Sequence, residues 1–293
     1  MYYPQLALPL PRNNTNHVVM KKRVLLLFIS TLCFIYANAQ SFRDDFGKAL
    51  NAKDMKKAEA ILKAWDLDNA NDPELYVAFF NFYTVRSMEA GMLSANGYDV
   101  SNSKQALEYI SEGIERFPIR LDMRIAKIYM LGELNSYQAY VEEILQLIAY
   151  SDKIKNNWKE VDFLLVSYPV DMFFGVVADC QENLFLKEDP ALFKDIIRIS
   201  DEMLKYYPKH IQSHIASSTV YVAQKEYDKS LAKLMEALQI EPANAILSFN
   251  IAYVYEIKGD KANAKKYYEL SITNCSDKEE ELKEAAKSQL KAL

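Results

Sequence analysis

Two histidines, His210 and His214, stand four residues apart. That spacing puts two imidazoles on one face of a helix, where they could share a divalent metal. The stretch HIQSH lacks the glutamate that a zinc protease places between such a pair as its general base, and no Cys or acidic ligand is fixed nearby by spacing. The two are therefore read as surface residues in the first turns of a helix. No Gly-x-Ser-x-Gly elbow, phosphate-binding loop or dinucleotide fingerprint is present. The plentiful carboxylates read as a solvated helix face, which says nothing about acid–base catalysis. The sequence thus points to no catalytic residue, no metal and no cofactor, and a non-enzyme is expected.

The elements that would carry these side chains are helices. Seven Gly and nine Pro in 293 residues suit an almost all-helical chain with short connections, and 50% apolar residues argue against disorder. From Pro208 onward the chain repeats every 34 residues: Pro208, Pro242 and Ser276 share one column, Leu204, Leu238 and Ile272 a second, and Met203, Ala237 and Ser271 a third. Within 245–274 a first helix carries Phe249, Ala252, Tyr253 and Tyr255, a second carries Ala264, Tyr268 and Ile272, and Gly259-Asp260 fills the turn. Ala252 and Ala264 are small where two helices must come close. Upstream, Asp189-Pro190 and Asp72-Pro73 read as helix starts. The helix from Pro73 to about residue 90 is strongly aromatic (Tyr76, Phe79, Phe80, Tyr83). Insertions interrupt the period at Gly91–Ser103 and at about 153–175. Ser276-x-x-Glu279 reads as a capping box opening a last helix.

A 34-residue period of paired helices resembles the tetratricopeptide repeat (TPR) family, in which each repeat is a helix–turn–helix. The resemblance implies an all-α, TPR-like α-solenoid, a right-handed superhelix whose units bury their apolar faces on one another. Five helix pairs and a cap are expected. The organisation reads as a signal peptide over 1–39, divergent helix pairs over 40–90, degenerate TPR-like helices with insertions over 91–176, three TPR-like repeats over 177–275 and a cap helix over 276–293. The family binds ligands through the inward face of each first helix. By 34-residue alignment those positions are Ile125 and Tyr129, Gln181 and Phe185, Ile215 and Thr219, and Phe249, Tyr253 and Glu256. Members that grip chaperone C-termini use a Lys–Asn clamp there. These positions are apolar or aromatic here, so a peptide carboxylate would find no cation in the groove, which instead suits a peptide with apolar anchors.

The N-terminus carries a second message. Met20-Lys21-Lys22-Arg23 precedes an apolar run from Val24 to Tyr36, and Ala37-Asn38-Ala39 then gives the small–x–small pattern of signal cleavage. The run is shorter than the ~20 residues of a stable membrane span. Residues 1–19 fit this poorly, and Met20 reads as the true start. Cys33 departs from a lipid-attachment motif, because Leu32 stands where Gly or Ala is usual. Cleavage after Ala39 would remove Arg12, Lys21, Lys22 and Arg23 and no acid, taking the net charge from −5 to −9. Such a chain has no electrostatic footprint for nucleic acid or anionic lipid. Cys180 and Cys275 fall in different repeats and are expected as free thiols.

These readings converge on an exported protein, periplasmic or extracellular in a Gram-negative bacterium, with no stable membrane span after cleavage. It would hold a protein or peptide partner in the groove. A second reading is a carbohydrate- or small-molecule-binding accessory protein that uses the aromatic helix 73–90 and the loop 91–103.

Overall fold

The computed structural model describes residues 40–94, 97–160 and 169–293, and these fall into two compact units that part between Pro169 and Val170. The signal-peptide reading of 1–39, with Met20 and Cys33, lies outside the described residues.

The first unit holds α1 (Gln40–Asn51), α2 (Met55–Asn69), α3 (Pro73–Ser94), α4 (Val100–Arg116), α5 (Leu121–Glu133) and α6 (Tyr137–Lys153). Asp54 caps α2 by accepting from the Lys57 N–H. Asp72 precedes Pro73 at the start of α3 and accepts from the Glu74 N–H at 2.9 Å and from the Trp65 indole at 3.1 Å. One carboxylate thereby opens α3 and ties it to the buried Trp65 of α2. Helix α3 runs four residues into the expected insertion before the chain turns back at Gly97, where φ is +76°. A Cβ on Gly91 would lie 2.4 Å from the Gly97 carbonyl oxygen, so only glycine lets the returning chain pass this close. Asp99 then caps α4 and donates its N–H to Ser87 O, while Ser87 Oγ meets Ser103 Oγ at 2.6 Å. The insertion is stapled to α3, and α3 and α4 pack as a pair, with Gly113 of α4 against the Tyr76 side chain.

The second unit holds α7 (Pro169–Phe185), a 3-10 turn (Pro190–Leu192), α8 (Phe193–Tyr206), α9 (Ile211–Ala223), α10 (Tyr227–Ile240), α11 (Ala245–Lys258), α12 (Lys261–Asn274) and α13 (Glu280–Ala292). Ala252 and Ala264 are both fully buried, as the close approach of α11 and α12 requires. One repeat earlier the same two positions hold Ser218 and Ser230, whose hydroxyls meet at 2.7 Å. The turns of these pairs share a left-handed residue, Lys225 (φ 61°) between α9 and α10 and Gly259 (φ 87°) between α11 and α12. Helix α13 starts at Glu280 and not at Ser276. Ser276 and Glu279 form a turn instead, with the Ser276 N–H and hydroxyl both donated to the Glu279 carboxylate.

Among the described residues the helices make six pairs and a cap rather than five pairs. The insertion at 91–103 concealed the pairing of α3 with α4.

Candidate functional site

The positions expected to line a groove do not share one environment. On α9, Ile215 is 2% exposed inside the core formed by α9, α10 and α11, and the buried Thr219 hydroxyl donates to the Ile215 carbonyl at 2.9 Å. On α11, Phe249 is 4% exposed and packs edge-on against Tyr268, within a cluster that includes Ala264 and Ala286. The expectation that Phe249 faces inward rather than between helices does not hold: α11 is apolar on every side, so its residue pattern marks no single buried face. Tyr253 and Glu256 remain half-buried on the same helix. The Tyr268 hydroxyl donates to the Glu256 carboxylate at 2.6 Å, and burial together with that carboxylate raises the phenol's pKa. Burial, then the charge of Glu256, raises the Tyr253 phenol as well. Both phenols stay neutral donors at physiological pH.

The alignment slips at α7. Seven residues, 186–192, connect α7 to α8, whereas three, 224–226, connect α9 to α10. Phe185 is consequently the last residue of α7, with its ring stacked on Phe193 at 5.7 Å, whereas Tyr253 lies five residues before the end of α11. Gln181 is buried and donates to Ser200 Oγ at 2.7 Å and to the Ile196 carbonyl. In the first unit Ile125 is buried and Tyr129 half-buried. The structure therefore leaves Tyr253 and Glu256 as the expected groove residues that sit together and partly open.

The histidines are not surface residues. His210 forms the N-terminal boundary of α9, with Nδ1 2.9 Å from Ser213 Oγ and its ring 4.4 Å from that of Phe174. Burial, then the neighbouring His214, lowers its pKa to about 4. His214 is likewise buried and lowered, chiefly by burial, with Nδ1 3.4 Å from a Glu236 oxygen. Among the described residues no group of three or more His, Cys, Asp or Glu side chains could hold a metal. Cys180 is buried and Cys275 half-buried, and neither forms a disulfide among the described residues.

The aromatic helix α3 uses its rings for packing. Tyr76, Phe79, Phe80 and Phe82 are buried, and Phe79 and Tyr83 both stack on Tyr109 of α4, at 4.1 and 5.5 Å. These rings are engaged in packing between α3 and α4, with Tyr83 half-buried.

Sequence reasoning missed a buried ionic clip. Arg120, fully buried just ahead of α5, donates to Asp122 through Nε and Nη2 at 2.8 and 2.6 Å and to Glu74 at 2.7 Å. Its backbone makes a parallel bridge with Lys159, and the adjoining Trp158 is fully buried, its indole donating to Ser151 Oγ at 3.0 Å. The segment 154–160, the first part of the insertion expected at about 153–175, is docked on α5 and α6. Only Trp158, a large apolar residue in an otherwise polar stretch, signals this in the sequence.

Paired helices, a left-handed turn residue and small side chains at the closest approach recur at 34 residues through α9–α12. The chain is an all-α, TPR-like repeat protein. Comparison with solved structures finds YrrB, described as a TPR protein with an unusual peptide-binding site, at 12% identity, covering 78% of this chain and 97% of that one with a TM-score of 0.42. It also finds pilF of Pseudomonas aeruginosa at 12% identity, 73% and 92% coverage and a TM-score of 0.38. TTC0263, a thermophilic TPR protein of Thermus thermophilus, aligns at 15% identity, 86% and 99% coverage and a TM-score of 0.30. No family model matches the chain. No curated protein matches it either.

Proposed function

We propose that this chain is a non-catalytic, exported scaffold that binds a protein or peptide partner through the first-helix face of its repeats. The observation that carries this reading is the tandem of helix pairs α9–α10 and α11–α12, which buries one face of each on its neighbours and leaves Tyr253 and Glu256 of α11 partly open. An aromatic ring beside a carboxylate can anchor a peptide through apolar contact and fix its direction with a hydrogen bond. Export to the periplasm or the extracellular space of a Gram-negative bacterium rests on the charged start, apolar run and Ala37-Asn38-Ala39 of the N-terminus. Among the described residues no helix is long and apolar enough to cross a membrane. The acidic net charge supports a partner other than nucleic acid.

Affinity capture with the chain from Gln40 onward, followed by mass spectrometry, tests the reading. A single saturable protein partner is expected, and Tyr253→Ala should weaken it by about 2 kcal/mol. Lys283→Glu on the cap helix should change little. Phe249→Ala belongs to the opposite class: it should cost about 3–5 kcal/mol of stability, because the ring fills the core between α11, α12 and α13. Full affinity in Tyr253→Ala would remove this face from the mechanism, and glycan binding without a protein partner would overturn the scaffold reading.

A further inference from the structure

The expected groove positions include one charged side chain, and the chain gives it no counterion. Glu256 of α11 is half-buried, and its carboxylate accepts the Tyr268 hydroxyl at 2.6 Å. Tyr268 is fully buried, so its hydroxyl is a fixed donor that holds the carboxylate in place. Among the described residues Glu256 forms no ion pair, and Tyr268 is its side-chain partner. Tyr253, also half-buried, stands three residues earlier and is therefore its neighbour on the helix surface. The Tyr253 phenol feels the charge of Glu256 and, from α10, the half-buried Tyr227. Neither the Tyr253 nor the Tyr227 hydroxyl has a hydrogen-bond partner among the described residues. No Lys or Arg charge bears on Tyr253 or Tyr268. The lysines of the adjoining turns are already engaged, Lys258 by Asp228 and Lys229 by Glu226.

A carboxylate fixed beside an aromatic ring, with no cation of its own, puts negative potential at the open edge of α11. An incoming cation meets a group that is already oriented, which lowers the ordering cost of binding. The ring face attracts a cation through its quadrupole, and the phenol oxygens add acceptors without adding charge. A guanidinium suits both features, because it stacks flat on a ring while its N–H edge meets a carboxylate. We propose that Glu256 and Tyr253 receive an arginine side chain of the protein partner, Glu256 pairing with the guanidinium and the Tyr253 ring lying against it. The net charge of −5 steers a basic partner toward the chain. This rests on the protein-binding reading above and adds to it the chemistry of the anchor: a charged group at this place rather than an apolar one.

The test titrates the full chain, labelled with nitrogen-15, with N-acetyl-Gly-Arg-Gly amide at constant ionic strength. The control peptide carries citrulline, which keeps the shape of arginine and loses its charge. The arginine peptide is expected to shift the backbone signals of residues 253–257 saturably, and the citrulline peptide to bind about ten-fold more weakly. Glu256→Gln keeps an acceptor for the Tyr268 hydroxyl and should weaken the arginine peptide about ten-fold. Tyr253→Leu should weaken it about two- to five-fold. Asp277→Asn removes an exposed carboxylate elsewhere in the second unit and should change little. Equal binding of the two peptides, undiminished binding in folded Glu256→Gln, or an equal loss in Asp277→Asn overturns the proposal. Should Glu256→Gln fail to fold, the citrulline comparison and Tyr253→Leu decide. The protein-binding reading fails by a different result, full affinity of Tyr253→Ala for the captured partner. Loss of that partner in Tyr253→Ala, with no response to the arginine peptide, would keep that reading and remove this proposal.

Discussion

The two units close their helix junctions by different chemistry. In the second, α9–α12 meet chiefly through small and aromatic side chains, Ala252 against Ala264 and Phe249 against Tyr268, with the Ser218–Ser230 hydroxyl pair a polar contact among them. In the first, the junctions are polar and specific. Asp72 clips α2 to α3, the Ser87–Ser103 pair closes the insertion, and Arg120 joins the starts of α3 and α5 through Glu74 and Asp122. Small-residue contact works when each repeat delivers its helices at the same spacing. Where insertions disturb that spacing, directional bonds fix the geometry instead. The difference teaches that a repeat array can absorb extra chain as long as a buried polar clip replaces the lost periodicity.

The largest effect expected from breaking this contrast is at Arg120. Arg120→Met should destabilise the first unit by about 3–5 kcal/mol, because it strands the buried Glu74 and the half-buried Asp122. A urea midpoint within error of wild type would show that the clip is dispensable. Glu74 is already held above its ordinary pKa by burial, against the pull of Arg120, so it should take up a proton readily once the arginine is gone.

The second unit has its own polar weakness, and it is set by pH. His210 has a folded pKa of about 4 against 6.5 in its unperturbed state. Above pH 6.5 neither state holds the proton and the group is silent. As pH falls from 6.5 to about 4, the unfolded chain binds a proton that the folded chain refuses, and stability drops. The full loss across that window amounts to about 3 kcal/mol. Denaturation midpoints of wild type and His210→Asn, measured from pH 7 to 4, should converge as pH falls. Parallel curves would mean that His210 titrates as it does in the unfolded chain.

The smallest effect sharpens the comparison of turns. Lys225 occupies the left-handed position that Gly259 fills one repeat later. Lys225→Gly should therefore stabilise by up to about 1 kcal/mol, the strain of a side chain in that region being relieved. A loss of stability would show that the Lys225 side chain contributes more than its backbone costs.

Legibility in the sequence followed the same divide. The 34-residue columns, the Ala252–Ala264 contact and the Gly259 turn could all be read because each is local and repeated. Asp72-Pro73 was legible as a helix start, but the Trp65 indole on its carboxylate was not, since nothing in the spacing links them. Phe249 and Ile215 were misplaced because helices apolar on all sides carry no periodic sign of which face is covered. Phe185 was misplaced because the longer connection after α7 moves that helix out of the 34-residue register. The burial of Trp158 and the pairing of Arg120 with Glu74 depend on residues far apart in the chain. His210 and His214 looked like surface residues because polar character alone does not report that Phe174 covers one of them.

The bridge between Lys159 and the residues flanking Arg120 has a consequence for how the chain is made. Lys159 donates to the Ile119 carbonyl and accepts from the Leu121 N–H, each at 2.9 Å. During synthesis, α9 can meet α10, and α11 can meet α12, as soon as each second helix has left the ribosome. The α5–α6 pair gains its Lys159 bridge and buried Trp158 only once residues 158–160 follow, and α3 has to wait for Arg120 before the Glu74 carboxylate is neutralised. The first unit therefore completes its junctions with chain that follows its own helices, while the repeats α9–α12 close pair by pair.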